Sequence, residues 1–272
     1  MNRRLLIVLL LVGISGSSYG QFDGGMRRRR QRPMDFQFDR AGVPDWETDA
    51  EFPNDVFTFA RLRYNDYGGW GKWATDYPDS DLNFSFRLQQ LTSLKVNPDP
   101  VILDLDDPKL FDFPFIYIIE PGHGLGLLDE DVETLRRYID NGGFVFVDDF
   151  WGEPEWEFFY RDIERVFPGR EPVELPLDHP IFHIVYDLTE KPQIPSIQWL
   201  YSGLTYERHD AQTPHYRAYF DDEGGLQMII CHNTDVGDGW EREGVDERYF
   251  HTFSEKWAYP LGINILFYAM TH

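Results

Sequence analysis

The amino-acid sequence predicts an α/β domain built on a mostly parallel sheet. Three observations carry that expectation. Phe113–Ile119 and Phe144–Val147 are short, nearly unbroken apolar runs, the pattern of strands buried on both faces. Between them Val132, Leu135 and Ile139 repeat at helical spacing, after a start rich in acids (Asp129, Glu130, Asp131) and before Gly142–Gly143. Strand, helix and strand in this order make a right-handed crossover, so both strands end on the same edge of the sheet. Ligands of such sheets sit beyond the carboxyl ends of the strands, which is where His123, Asp148, Asp149 and Trp151 fall in this sequence.

Taken in order, residues 1–20 read as a secretory signal peptide. Arg3 and Arg4 precede about ten aliphatic residues (Leu5–Ile14), and Ser18 and Gly20 stand at the small-residue positions before Gln21. Residues 21–53 read as a flexible segment with arginines at 27–30 and 32, scattered acids and little periodicity. Residues 54–272 are expected to form the globular domain. Val56–Tyr64 alternates as a first strand. Asn65–Pro78 is a long loop rich in Gly, Trp and Tyr. Ser80 is placed to cap a helix over residues 81–94, with Phe84, Leu88 and Leu91 on one face. Val101–Leu105 reads as a strand and Asp107–Asp112 as a turn before the central unit.

Beyond that unit, Pro154 suits the first position of a helix whose apolar stripe includes Trp156, Phe159, Ile163 and Val166. Residues 170–204 are rich in proline and read as irregular, with a strand near Ile181–Tyr186. Tyr216–Phe220 and Leu226–His232 bracket Asp-Asp-Glu-Gly-Gly, a hairpin signal. Residues 233–248 read as a polar loop, and residues 255–270 as a last helix with Ile263, Leu266, Phe267 and Met270 on its apolar face and a break near Pro260.

The chain has 272 residues, 42% of them hydrophobic and 17% aromatic, and a formal net charge of −22. Such an acidic surface repels phosphate, so nucleic acid is excluded as a partner class. A small ligand or an envelope protein is the expected partner. No stretch after the leader is long and apolar enough to span a membrane. The single cysteine, Cys231, can close no internal disulfide.

Several separated blocks, FARLRY, WATDYPDSDLNFSFRLQQLT, NGGFVFVDDFWG, PLDHPIF and ICHNTDVGDGWE, resemble the bacterial domain-of-unknown-function family DUF4159 from Phe57 to the C-terminus. The resemblance implies a flavodoxin-like, class I glutamine amidotransferase-like three-layer sandwich. Enzymes of that fold carry a cysteine nucleophile on a sharp turn after a central strand. The comparable turn here reads Asp148, Asp149, Phe150, Trp151, and Cys231 lies inside an expected strand, so amidotransferase activity is not expected. His232 stands where such folds often carry a histidine after a late strand.

No motif is specific enough to name a reaction. The catalytic candidates are His123, Asp148 and His232. Asp148 or Asp149 either caps the following turn or projects into the cleft as a metal ligand or general base. His123, Asp148, His232 and Asp235 make an oxygen–nitrogen set that would take a divalent metal, the only cofactor expected. The ligand-binding candidates are Trp70, Trp73, Tyr77, Asp149, Trp151 and Asn233, with Asp66, Asp76 and Glu153 nearby. Their rings either stack on a ligand such as a sugar or pack back over the sheet as a lid. His179 and His183 flank Pro180 and read as structural. Two functions follow: a non-catalytic binding module of the periplasm or cell envelope, or a metal- or His/Asp-dependent hydrolase with carbohydrate as a fitting substrate.

Overall fold

The computed structural model describes Arg40, residues 42–48 and residues 55–272. The expected signal peptide and most of the arginine-rich segment lie outside the described residues. The elements, in chain order, are β1 (Ala60–Arg63), α1 (Asp79–Leu91), β2 (Val101–Asp104), β3 (Phe115–Ile119), α2 (Asp129–Asp140), β4 (Phe144–Asp148), α3 (Gly152–Val166), β5 (Val173–Glu174), α4 (Trp199–Ser202), β6 (His215–Phe220), β7 (Leu226–His232), α5 (Val236–Glu241), α6 (Glu247–Tyr249) and α7 (Tyr259–Thr271). A π-helical stretch, Phe250–Ala258, leads into α7.

The seven strands form one sheet in the order β2-β1-β3-β4-β7-β6-β5. The five strands from β2 to β7 run parallel; β6 is antiparallel to β7, and the short β5 is antiparallel to β6, so β6 alone is reversed. The fold is therefore α/β with a mostly parallel sheet, as the apolar runs predict. Alternation along each strand assigns the two cores. Phe115, Tyr117 and Ile119 join Phe144, Phe146, Ile229 and Cys231 on the face covered by α1, α5 and α7. Ile116 and Ile118 join Val145, Val147, Met228 and Ile230 on the face covered by α2 and α3.

The local differences from expectation have identifiable causes. Helix α1 starts at Asp79 with Pro78 at its cap, and Ser80 is buried inside the helix because its Oγ accepts a hydrogen bond from Arg61 Nη2 (2.9 Å). Helix α3 starts at Gly152, so Pro154 is its third residue and not its first. The segment near Ile181 is a 3-10 turn (Pro180–Phe182) and no strand. Residues 236–241 are helical and not loop, because Asp235 accepts from Asp238 N (2.7 Å). Met270 is 51% exposed and lies off the apolar face of α7. Arg40 and Trp46 are tied to the domain: Arg40 donates to Pro98 O and Asp99 Oδ1, and Trp46 Nε1 to Val96 O.

Candidate functional site at the carboxyl edge

Strand order places a switch point between β1 and β3, since the chain leaves β1 for β2 on one side and returns to β3 on the other. The loops that follow these two strands are bound together there. Tyr64 Oη donates to the carbonyls of Ile119 and Glu120, both at 2.8 Å. Glu120 pairs with Lys72 and accepts from Thr75 Oγ1. Trp70 lies over His123 with ring centroids 4.7 Å apart. Asp66 shapes the aromatic loop by accepting from the N–H groups of Trp70 and Gly71 (both 2.9 Å) and Lys72 (3.3 Å). Burial works against its charge, but these backbone donors outweigh it and lower its pKa.

Backbone strain marks the same edge. Among the described residues, four that are not glycine have a left-handed φ: Asp76 (60°), Glu120 (51°), Asp149 (57°) and Asn233 (62°). Such residues are uncommon and are held in place only by their surroundings. Glu120 directly follows β3, Asp149 directly follows β4, and Asn233 directly follows β7, three neighbouring strands. Asp76 belongs to the loop between β1 and α1.

Asp148, the last residue of β4, is fully buried. Its carboxyl accepts from Tyr117 Oη (2.9 Å), Val236 N (3.2 Å) and Gly237 N (2.8 Å). It thus caps α5, which follows the neighbouring strand β7, and it also accepts from the backbone N–H of Asp149 at the turn that follows it. Burial raises its pKa to about 7, against the pull of these donors. Asp149 turns away from the strand, and its Oδ1 accepts from Trp151 Nε1 (2.9 Å). Burial, and then the charges of Glu120, Asp76, Asp148 and Glu207, push its pKa well above the usual carboxylate range. Asp235 moves the same way through burial and the charges of Asp149 and Asp238.

A second group of carboxyls lies beside these. Ligand oxygens of Asp76, Asp238 and Glu241 are all within 4.8 Å of one another; Asp238 is buried and the other two are half-buried. Asp76 Oδ2 is closed to solvent and has no hydrogen-bond partner. Its pKa is raised well above the usual range, by burial first and then by Asp238 and Glu241. Burial and a hydrogen bond with Asp238 raise Glu241 to about 8.

The residues expected from sequence reach this edge but do not form one cluster. Asp148 follows Phe144 and Phe146 on the α1/α5/α7 face, whereas His232 follows Met228 and Ile230 on the opposite face. Both end parallel strands, but their side chains leave the sheet in opposite directions. His232 stacks on Phe150 (4.7 Å) and lies 5.3 Å from Trp156. Its Nε2 donates to Gly152 O (3.1 Å), so Nδ1 is left to accept from Arg217 Nη1 (3.2 Å). Burial lowers its pKa to about 3, which keeps the ring neutral. His123 sits under Trp70, and its Nδ1 is buried without a hydrogen-bond partner.

The ligand-binding candidates divide in the same way. Trp70 is 66% exposed, while Trp151 is buried. Trp73 and Tyr77 lie 6.4 Å apart, with the Arg63 guanidinium 5.7 Å from the Trp73 ring and the Arg61 guanidinium 5.7 Å from the Tyr77 ring. Asn233 bridges elements: it accepts from Gly152 N (2.8 Å) and donates to Thr213 O (2.9 Å). His179 accepts from Ile181 N and His183 contacts Asp187, local roles that fit a structural reading.

Sequence reasoning missed Asp238 and Glu241 and gave Asp76 only a supporting place. A signal was present, since Asp235, Asp238 and Glu241 recur every three residues, the spacing of one helix face. The polar, glycine-rich composition of residues 233–248 masked it.

A mostly parallel α/β domain with a carboxylate-rich carboxyl edge is what the geometry defines. The chain belongs to the family described as Domain of unknown function (DUF4159), whose model matches residues 58–270. No curated protein matches the chain.

Proposed function

We propose that this chain is an exported, non-catalytic binding module of the bacterial periplasm or cell envelope, which holds a small ligand at the carboxyl edge between Glu120 and Asp149. In this reading the domain is a flavodoxin-like, class I glutamine amidotransferase-like three-layer sandwich whose nucleophile position is taken by the Asp148–Asp149 turn. One observation carries it: Glu120, Asp149 and Asn233, three polar residues in strained left-handed conformation, end three adjacent strands. A fold maintains such strain where a site needs it. The surplus of carboxyls there selects against anions and favours a cationic or polyhydroxylated ligand, with the exposed Trp70 ring available for stacking. Export rests on the leader sequence, and a mature N-terminus at Gln21, read by mass spectrometry, is its test.

The binding test is isothermal titration in the presence of chelator, with spermidine, trilysine and chitotriose as probes. Saturable binding of at least one probe, weakened by Asp149→Asn and Trp70→Ala, is expected. A natively folded chain that binds none of them refutes the reading. The hydrolase alternative retains one supporting observation, the position of Asp149 on the turn from β4 to α3. It predicts turnover of p-nitrophenyl glycosides that Asp149→Asn abolishes.

A further inference from the structure

We propose that Asp76, Asp238 and Glu241 form a binding site for a hard divalent cation of calcium or manganese size. The donors are all carboxylate oxygens, the chemistry of such ions and not of zinc, whose sites draw on histidine or cysteine. The spacing fits as well. Oxygens on opposite sides of a calcium ion are at most about 5.2 Å apart, and around magnesium at most about 4.2 Å. The three ligand atoms here lie within 4.8 Å of one another, inside the span a calcium ion can bridge.

Asp76 supplies an independent sign of a missing partner. Its Oδ2 is sealed from solvent, yet no donor reaches it. A buried carboxylate oxygen without a donor is costly, and native structures seldom leave one so. The atom is aimed at the start of α5: a Cβ at Gly237 would lie 2.8 Å from Asp76 Oδ2. Glycine at 237 therefore lets this side chain enter beside Asp238.

The cations nearby do not complete the site. Arg61 is engaged by Asp81 through both carboxylate oxygens. Arg242 approaches Asp238 Oδ1 (2.8 Å) and Glu241 Oε2 (2.6 Å), which leaves three carboxylates facing one guanidinium. Asp238 Oδ2 accepts from Ile197 N (2.6 Å), and a bound cation would take the place of the proton that Glu241 and Asp238 share. Asp76 and Glu241 are only half-buried, so an ion has a way in, and water or a ligand would fill its remaining positions. The site lies beside the Glu120–Asp149 edge and does not depend on a ligand there.

The test is isothermal titration of the chelator-treated, full mature chain with calcium, manganese, magnesium and zinc chlorides, together with the electron paramagnetic resonance spectrum of bound manganese. Saturable binding of one calcium or manganese ion per chain is expected. Asp76→Asn, nearly isosteric and at ease with a left-handed φ, should weaken it at least tenfold, and the surface control Asp140→Asn should not. Glu241→Gln serves as the second variant and should also weaken it at least tenfold. No saturable binding by the folded wild type, binding of zinc alone, or unchanged affinity in both variants overturns the assignment. The organic probes above are titrated in chelator, so failure of either reading is seen separately from failure of the other.

Discussion

Replacing Asp81 by alanine should be among the most damaging single changes in the domain. Asp81 and Arg61 are both fully buried. The guanidinium spends its donors completely: Nε on both Asp81 oxygens (3.2 and 3.0 Å), Nη1 on the carbonyls of Trp73 (3.0 Å) and Thr75 (2.7 Å), and Nη2 on Ser80 Oγ (2.9 Å) and Asp81 Oδ1 (2.5 Å). Removing the carboxylate strands a charge inside the protein, which costs about 3–5 kcal/mol. For a domain of this size that is a melting temperature lower by about 6–20 °C, and a large part of a total stability of about 5–15 kcal/mol. Urea denaturation of the wild type, Asp81→Ala, Arg61→Met and the double variant measures it. The double variant should lose less than the sum of the singles, by at least about 2 kcal/mol, because neither charge is then left alone. Hydrogen exchange should quicken across residues 72–76, where Arg61 holds the carbonyls of Trp73 and Thr75. A loss below about 1 kcal/mol in Asp81→Ala with an unchanged m-value, or strict additivity, would refute the reasoning.

Three further outcomes are expected. Asp148 has a folded pKa of about 7, above its ordinary value of 3.8, so the native state holds the proton more tightly. Stability should then fall as pH rises from about 4 to about 7, with Asp149, Asp235 and Asp76 acting in the same direction. Asp148→Asn should flatten the urea-midpoint profile over that window by up to about 1.4 kcal/mol per pH unit, and an unchanged slope contradicts this. A Cβ on Gly126 would lie 1.7 Å from the Asn65 carbonyl, while one on Gly142 meets nothing, although both have left-handed φ. Gly126→Ala should therefore cost at least about 2 kcal/mol more than Gly142→Ala, whose penalty is backbone strain of about 1–2 kcal/mol. Cys231 is buried, which pushes its thiol pKa well up; it should ignore a disulfide reagent until urea unfolds the chain.

Much of the scaffold was legible because its signals are local. The apolar runs of β3 and β4, the Val132–Leu135–Ile139 spacing of α2 and the turn between β6 and β7 each determine an element within about ten residues. Helix α5 was masked by the glycine-rich composition of residues 233–248; Asp235 caps it locally, and its start is further held by Asp148, 88 residues earlier in the chain. The candidate site failed for a related reason. Asp148 and His232 both end strands, and from sequence alone they share an edge. Which face each occupies depends on register between β4 and β7, where Val145 pairs with Met228 and Val147 with Ile230, and a shift of one residue would reverse it. The grouping of Asp76 with Asp238 and Glu241 depends likewise on how α1 packs against α5, where Asn83 Nδ2 donates to Trp240 O.

The tight turn between β6 and β7 offers a practical handle. Asp221 closes it by accepting from Glu223 N and Gly225 N, and residues 221–224 are exposed. Because β7 runs from this turn toward the carboxyl edge, its seven residues separate the turn from Asn233 by about 23 Å. A fluorophore, spin label or surface tether placed at Asp222 or Glu223 would report on, or immobilise, the domain from its far end, with the carboxyl-edge loops left open to solution.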